Sequence, residues 1–507
     1  MKRLAVFATA LALRCTLAAI AFGSVETIAN FRDTVRLLSG FKIAAPYLPA
    51  VELWLWVGSV ISYSTNLPVS FAHKFLPVFF DALIALLLFD AARDARMALR
   101  HGLLYAFAVV PIIVCAIQPQ WDSVFVYFLL LALVLLRDGS TRGDACAGAA
   151  WTLSVIAKPL AGPLIILLVP RTWRGARAFV GGVAVTSLVY GAILAANHAL
   201  PGPADFVGIA SYASRGVLLF GLPYRPWNRL AMVLLTLAVV TALHAWKKLD
   251  RETCVLLYFA GAIAFSGLCP QYLMWLVPFA LLCGRERFVA VYSLAAGAFL
   301  VFFYQCPVVN LPNGENLGAL ALLRPLGAFS PPLPSPAILP FVRFLGNLAV
   351  PLLCLGLLAF ELVRAFTRPT VEDHATPRLR TLVAPPLLAA LIFGAATLWA
   401  VLQPPLRVEP FILRMQRKIG AYDVVRWNGP NMMQRGSKIW VARSFVDPNA
   451  AHPVANIGML LLVWTALASL AALKKNPASL AGGSGASRTS AAAGSLPDSR
   501  TTATPSI

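Results

Sequence analysis

The chain has 507 residues, 59% of them hydrophobic and only 12% charged, with 42 Lys and Arg against 21 Asp and Glu. A soluble globular domain is about a quarter charged, so this composition excludes one and describes an integral membrane protein. Eight cysteines without a CxxC pair and six histidines without ligand spacing argue for neither a disulfide frame nor a structural zinc site.

A helix needs roughly 20 apolar residues to cross a bilayer, fewer where it is short or re-entrant. Apolar stretches run at 4–23, 71–89, 102–117, 121–136, 145–157, 159–169, 178–197, 228–246, 254–267, 270–283, 289–305, 340–363, 382–402 and 455–473. The expected fold is an all-α polytopic membrane protein of about 12 to 14 transmembrane helices. The opening MKRLAVFATALALR has the basic start of a secretory signal, but Arg14 interrupts it and further spans follow. An uncleaved first helix is therefore expected.

Lys and Arg in short loops set orientation. With Lys2 and Arg3 inside, alternate loops collect the charge: Arg93, Arg96 and Arg100; Arg137 and Arg142; Arg171, Arg174 and Arg177; Lys247, Lys248 and Arg251; Arg285 and Arg287; Arg364, Arg368, Arg378 and Arg380; Lys474 and Lys475. The alternation holds only if 145–157 with 159–169, and 254–267 with 270–283, each go across and back. It predicts a multi-pass protein of the bacterial inner membrane with both termini cytoplasmic.

Three longer segments then fall outside. The first, 24–70, contains VELWLWVGSVIS, expected as a helix in the interface with Trp54 and Trp56 at headgroup level. The second, 306–339, is rich in Pro, Gly and Asn. The third, 403–454, is basic (Arg407, Arg414, Arg417, Lys418, Arg426, Arg435, Lys438, Arg443) and reads equally as a solvated surface near anionic lipid or as a phosphate contact. The tail 476–507 is rich in Ser, Ala, Gly and Thr and is expected to be disordered and cytoplasmic.

Four features stand at the outer ends of spans. Asp33, in NFRDTVRLLSGF, suits a general base that takes a proton from a hydroxyl, or an N-cap for a helix starting at Thr34. Asp122, in QPQWDSVFVYF, either caps the following helix or joins Gln120 and Trp121 in recognising a sugar. Lys158 lies between two apolar stretches with Pro159 directly after it. A charge there needs water or a partner, and a cation at a helix break is a natural phosphate site, against simple snorkelling. The turn CPQYLMWLVPF brings Gln271, Tyr272 and Trp275, as contacts or as a helix start with interfacial aromatics. Arg215 and Arg225, in the outer loop 198–227, are further phosphate candidates.

In this order the segments resemble the GT-C superfamily of membrane glycosyltransferases, in its polyprenyl-phosphate-sugar-dependent mannosyltransferase-like branch. The pieces are Asp33 with APYLP at 45–49, HKFLPVFFDALIALLL at 73–88, PQWDSVFVYFLLLALVLL, AGAAWTLSVIAKPLAGPLIILLVP and CPQYLMWLVP. The likeness covers roughly 1–285, which implies a catalytic transmembrane module there, with 286–475 supplying further helices. It implies transfer of a mannose-like hexose from a polyprenyl-phosphate donor to an acceptor hydroxyl on a glycan, lipid or protein. Asp33 would be the base and Lys158, backed by Arg215 and Arg225, the cation on the departing phosphate. Asp122 and Gln120 would hold sugar hydroxyls or shape the loop around Asp33, with Gln271 and Tyr272 further substrate contacts. No cofactor or metal is implied, and nucleic acid is not an expected partner. The rival readings are a transporter or flippase of a lipid-linked saccharide or small solute, and a non-catalytic assembly subunit.

Overall fold

Among the residues that the computed structural model describes (1–20, 49–65, 67, 69–92, 94–118, 120–196, 226–266, 270–305, 340–341, 344–367, 379–402, 424–427 and 439–442), the apolar stretches become helices. The expected span 455–473, the segment 306–339 and the tail lie outside the described residues. In chain order the helices are α1 (Lys2–Ile20), α2 (Pro49–Thr65), α3 (Val69–Asp90), α4 (Ala95–Ala106), α5 (Asp122–Leu136), α6 (Thr141–Ala157) and α7 (Trp173–Ala196). They continue with α8 (Pro226–Ala245), α9 (Arg251–Ser266), α10 (Leu273–Leu282), α11 (Glu286–Gln305), α12 (Val350–Thr367) and α13 (Leu379–Val401).

Among the described residues, five stretches are long and apolar enough to cross a membrane: Phe71–Asp90, Ala95–Ile117, Trp173–Ala192, Leu345–Thr367 and Leu382–Ala400. Shorter apolar helices, Asp122–Leu136, Pro159–Leu168, Ala231–Ala245 and Pro270–Leu282, pack among them. This is a membrane-embedded helical protein.

Polar caps and ion pairs gather at one end of the bundle. Asp94 accepts from the Arg96 and Met97 amides (2.9 and 2.8 Å) and starts α4, while Ser140 accepts from Gly143 and starts α6. Arg3 at the start of α1 pairs with Asp90 at the end of α3 (2.8 Å). Arg137 after α5 pairs with Glu252 at the start of α9 (2.9 Å) and donates to the Ala91 carbonyl. Arg100 and His101 meet Glu286 at the start of α11, and Arg285 meets Glu361 near the end of α12. These contacts join residues that the charge alternation assigns to the same side.

Deep in the bundle, Arg14 and Asp81 are both fully buried and form an ion pair. Asp81 also accepts from the Tyr105 hydroxyl. Arg14 donates further to the carbonyls of Ala106 (2.8 Å) and Tyr105 (3.2 Å). Those carbonyls mark a break. The stretch expected as one span over 102–117 is interrupted at Phe107 and Ala108, then resumes as a turn (Val109–Pro111) and a π-helix (Ile112–Ile117). Carbonyls at a helix break in lipid must find donors inside the protein; Arg14 donates to that of Ala106 and joins the Ala108 amide (3.1 Å) on that of Tyr105.

Two findings add detail to these expectations. The helix predicted to lie in the interface forms, as α2, and within it Trp54 is buried against protein. Its ring meets Phe393 edge to face at 4.9 Å, and its indole nitrogen donates to the His73 carbonyl (3.2 Å). The all-α fold also carries one short hairpin within 403–454. There β1 (Val424–Trp427) and β2 (Ile439–Ala442) pair antiparallel, with Val424 opposite Ala442 and Trp427 opposite Ile439. The strands VVRW and IWVA are β-branched and aromatic, and Asn428, Gly429 and Pro430 follow the first.

Candidate functional site

Three helix ends, distant in sequence, meet at the end of the bundle opposite the ion-pair layer. The first is the start of α5. The loop before it leaves the π-helix at Gln118, whose backbone is extended, and Trp121 takes the cap position without a side-chain cap bond. Asp122 is thus the first helical residue and not the cap that local spacing allowed. A carboxylate in this first turn is favoured by the helix dipole. Ser123 fastens the turn to α3 by donating to the Pro77 carbonyl (2.7 Å).

The second end belongs to α6, which stops at Lys158 because Pro159 disfavours a helical residue before it. The Lys158 backbone is extended (φ −157, ψ 114), and the chain turns back through a 3-10 segment, Pro159–Leu164. Trp151 donates to the Ala161 carbonyl (2.9 Å) and Tyr258 to the Leu160 carbonyl (3.2 Å), so the break is held by defined bonds. The third end is the 3-10 turn Pro270–Tyr272 that opens α10. Tyr272 and Trp275 are three residues apart, hence on one helix face, and their rings stack at 4.2 Å between centroids.

Asp122 and Lys158 come together at this junction. The Lys158 ammonium donates to Asp122 Oδ1 at 2.6 Å, and Trp275 Nε1 donates to the same oxygen at 2.6 Å. The ammonium also lies 4.9 Å from the Tyr272 ring centroid and 4.8 Å from that of Trp275, in cation–π range. The Asp122 side chain is 4% exposed and that of Lys158 24%, so the pair opens outward on the lysine side. Behind it, Trp275 is fully buried against Phe125 (5.5 Å) and Phe259 (5.4 Å). The result is a charged pair with a dry aromatic wall on one side and an open face on the other.

The remaining predicted residues fall in several places. Gln271 is buried in the 3-10 turn beside Tyr272. Gln120 is partly exposed in the loop just before Asp122, its amide donating to the Gln118 carbonyl at 2.7 Å. Asp33, Arg215 and Arg225 lie outside the described residues. Asp81, part of the sequence resemblance, has both oxygens engaged by Arg14 and Tyr105 and belongs to the core. Trp275, the second donor to Asp122, was singled out in sequence as an aromatic of the CPQYLMWLVPF turn, but not as a partner of Asp122. Among the described residues, no three His, Cys, Asp or Glu side chains group to hold a metal ion.

No family model, curated protein or solved structure matches this chain. Its function is therefore read from the site itself.

Proposed function

We propose that the protein is a membrane glycosyltransferase that moves a mannose-like hexose from a polyprenyl-phosphate donor to an acceptor hydroxyl at the membrane face bearing Asp122 and Lys158. The observation that carries this reading is the convergence of Asp122, Lys158 and Tyr272, from three separate segments of the chain, on one bundle end. The deep charges support it as well. Arg14 and Asp81 are sealed and satisfied by protein groups, which suits chemistry at the helix ends better than a polar path through the bundle.

The reaction is a single displacement. The acceptor oxygen attacks the anomeric carbon while the bond from that carbon to the phosphate oxygen breaks, its electron pair leaving with the phosphate. Asp33 takes the hydroxyl proton. Lys158, paired with Asp122, lends positive potential to the departing phosphate, where negative charge grows. Arg215 and Arg225 serve the same group. The acceptor is a hydroxyl of a glycan, lipid or protein.

The test is release of sugar from a polyprenyl-phosphate mannose by purified protein, wild type beside Asp33→Asn. Loss of a general base lowers turnover by about 10²- to 10⁴-fold. Equal turnover in the two proteins removes Asp33 from the mechanism, and absence of turnover with any lipid-phosphate sugar removes the enzyme reading.

A further inference from the structure

Two loops at the ion-pair end carry positive charge that the ion pairs do not use. One leads into α7 and exposes Arg171, Trp173, Arg174 and Arg177; the other follows α8 and exposes Trp246, Lys247 and Lys248. They adjoin in space. Arg171 donates to the His244 carbonyl (2.5 Å), and Arg251, just beyond the second loop, donates to the Leu167 carbonyl (2.9 Å), just before the first. The acids nearby are engaged elsewhere: Glu252 meets Arg137, Asp250 accepts from the Thr253 amide, and Asp144 is buried. Among the described residues, Arg174, Arg177 and Lys248 enter no ion pair.

Trp173 and Trp246 are 75% and 69% exposed. Such rings suit the membrane interface, where an apolar body and a polar edge are both satisfied. Each heads an exposed stripe at helical spacing. Trp173, Arg177, Val180, Ala184 and Leu188 run along α7, and Trp246, Val239 and Leu235 run back along α8. The turn after α8 adds a different sign. Lys247 has a left-handed backbone (φ 56°), and among the described residues no other non-glycine residue has a positive φ. After α10 the same closure uses Gly284: the Gly284 and Arg285 amides bond the Leu281 and Ala280 carbonyls, as those of Lys247 and Lys248 bond the His244 and Leu243 carbonyls. A side chain makes that backbone costly. Glycine would close α8 more cheaply, so lysine there serves something other than the turn.

We infer that these two loops form a binding site for an anionic phospholipid in the leaflet at the ion-pair end. Arg174, Arg177, Lys247 and Lys248 face its phosphate, and its acyl chains lie along the apolar stripes of α7 and α8. Retention of positive loops on one side accounts for cations here. It accounts neither for the bonds that gather the two loops nor for a lysine in a glycine position. The inference stands apart from the glycosyltransferase reading and does not depend on it.

Equilibrium binding to the full-length protein in a neutral detergent tests it, with a fluorescent short-chain phosphatidylglycerol and the matched phosphatidylcholine as probes. Wild type should prefer the phosphatidylglycerol by about 5-fold or more, since each cation at a lipid surface contributes about 1 kcal/mol. Arg174→Gln and Lys248→Gln should each weaken that lipid by about 5-fold and leave phosphatidylcholine unchanged. Lys247→Gly should lose the same factor with no fall in unfolding temperature, because glycine suits the backbone there. Lys2→Gln combined with Arg96→Gln, two exposed cations elsewhere on the same end, should leave the preference intact. Equal binding of the two lipids by wild type overturns the inference. So does an equal loss in the Lys2 and Arg96 variant, which would mean diffuse charge and no site. Glycerol phosphate competing at the same concentration as the lipid would also overturn it, by showing a site for a free phosphate ester.

Discussion

Arg14 and Asp81 show how a buried charge is tolerated in this chain. Isolated in a lipid-facing bundle, either would be expensive, yet each is wholly covered. The guanidinium gives one bond to Asp81 and others to the Ala10, Tyr105 and Ala106 carbonyls, and Tyr105 completes the carboxylate. The pair therefore satisfies both itself and the break after α4. Asp81→Asn should cost about 3–5 kcal/mol, because it leaves a buried guanidinium without its counter-charge. Replacing both, Arg14→Met with Asp81→Leu, should cost less than the two single changes together. It should still leave a deficit, since the Ala106 carbonyl loses the Arg14 donor. Unfolding in detergent micelles measures this cycle, and strictly additive single and double variants would show that the residues do not act as a pair. Sequence marked both as mid-span charges. Their partnership spans 67 residues of chain and follows from packing, so spacing could not reveal it.

Between elements, the tightest glycine contacts among the described residues are those of α6 with α7. A Cβ on Gly148 would stand 2.1 Å from the Phe179 carbonyl oxygen, and one on Gly182 only 2.0 Å from that of Ala145. Small residues that let backbones approach are a main source of helix association in membranes. This contact matters for the site because α6 ends in Lys158. Gly148→Leu or Gly182→Leu should destabilise by about 3 kcal/mol or more, at the upper end of overpacking costs, since backbone atoms cannot step aside. A Cβ at Gly181 or Gly191 would meet nothing within 4 Å, so Gly181→Leu and Gly191→Leu should leave stability unchanged. Thermal unfolding of the four variants checks the contrast, and equal effects at Gly181 and Gly182 would contradict the packing. At this scale the sequence was legible where proline writes the punctuation. The ends at Lys158 and Pro270 fall where Pro159 and Pro270 put them. Pro111 marks the break at Phe107 in the same way, since a proline ring clashes with the helical carbonyl four residues before it, although 102–117 was read as one span. The sequence was opaque at Trp54, where an interfacial residue type turned out to be a packing residue because α3 and α13 cover it.

Across the whole molecule, the two bundle ends differ in kind. One is knitted by Arg3–Asp90, Arg100–Glu286, Arg137–Glu252 and Arg285–Glu361, the other holds Asp122–Lys158 among aromatic rings. The first set joins loops that the alternation of Lys and Arg assigns to one side, so which of the described loops share an end was legible from charge. The candidate site was legible as residue types at span ends, but not as bonds, since Asp122, Lys158 and Trp275 share no local spacing. If positive loops stay inside, the ion-pair end faces the cytoplasm and the Asp122–Lys158 end faces out. Thr65 and Arg142 are both exposed, the first just before the start of α3 at the Asp122 end, the second in the first turn of α6 at the other. In a background without the native cysteines, a membrane-impermeant maleimide applied to intact cells should label Thr65→Cys and spare Arg142→Cys. Inverted vesicles should give the reverse pattern. Labelling of both from one side would break the alternation between α3 and α6, while a clean pattern of opposite sign would keep the bundle intact and move the site to the cytoplasmic face. In that case the donor's phosphate-linked sugar would have to be presented from inside the cell.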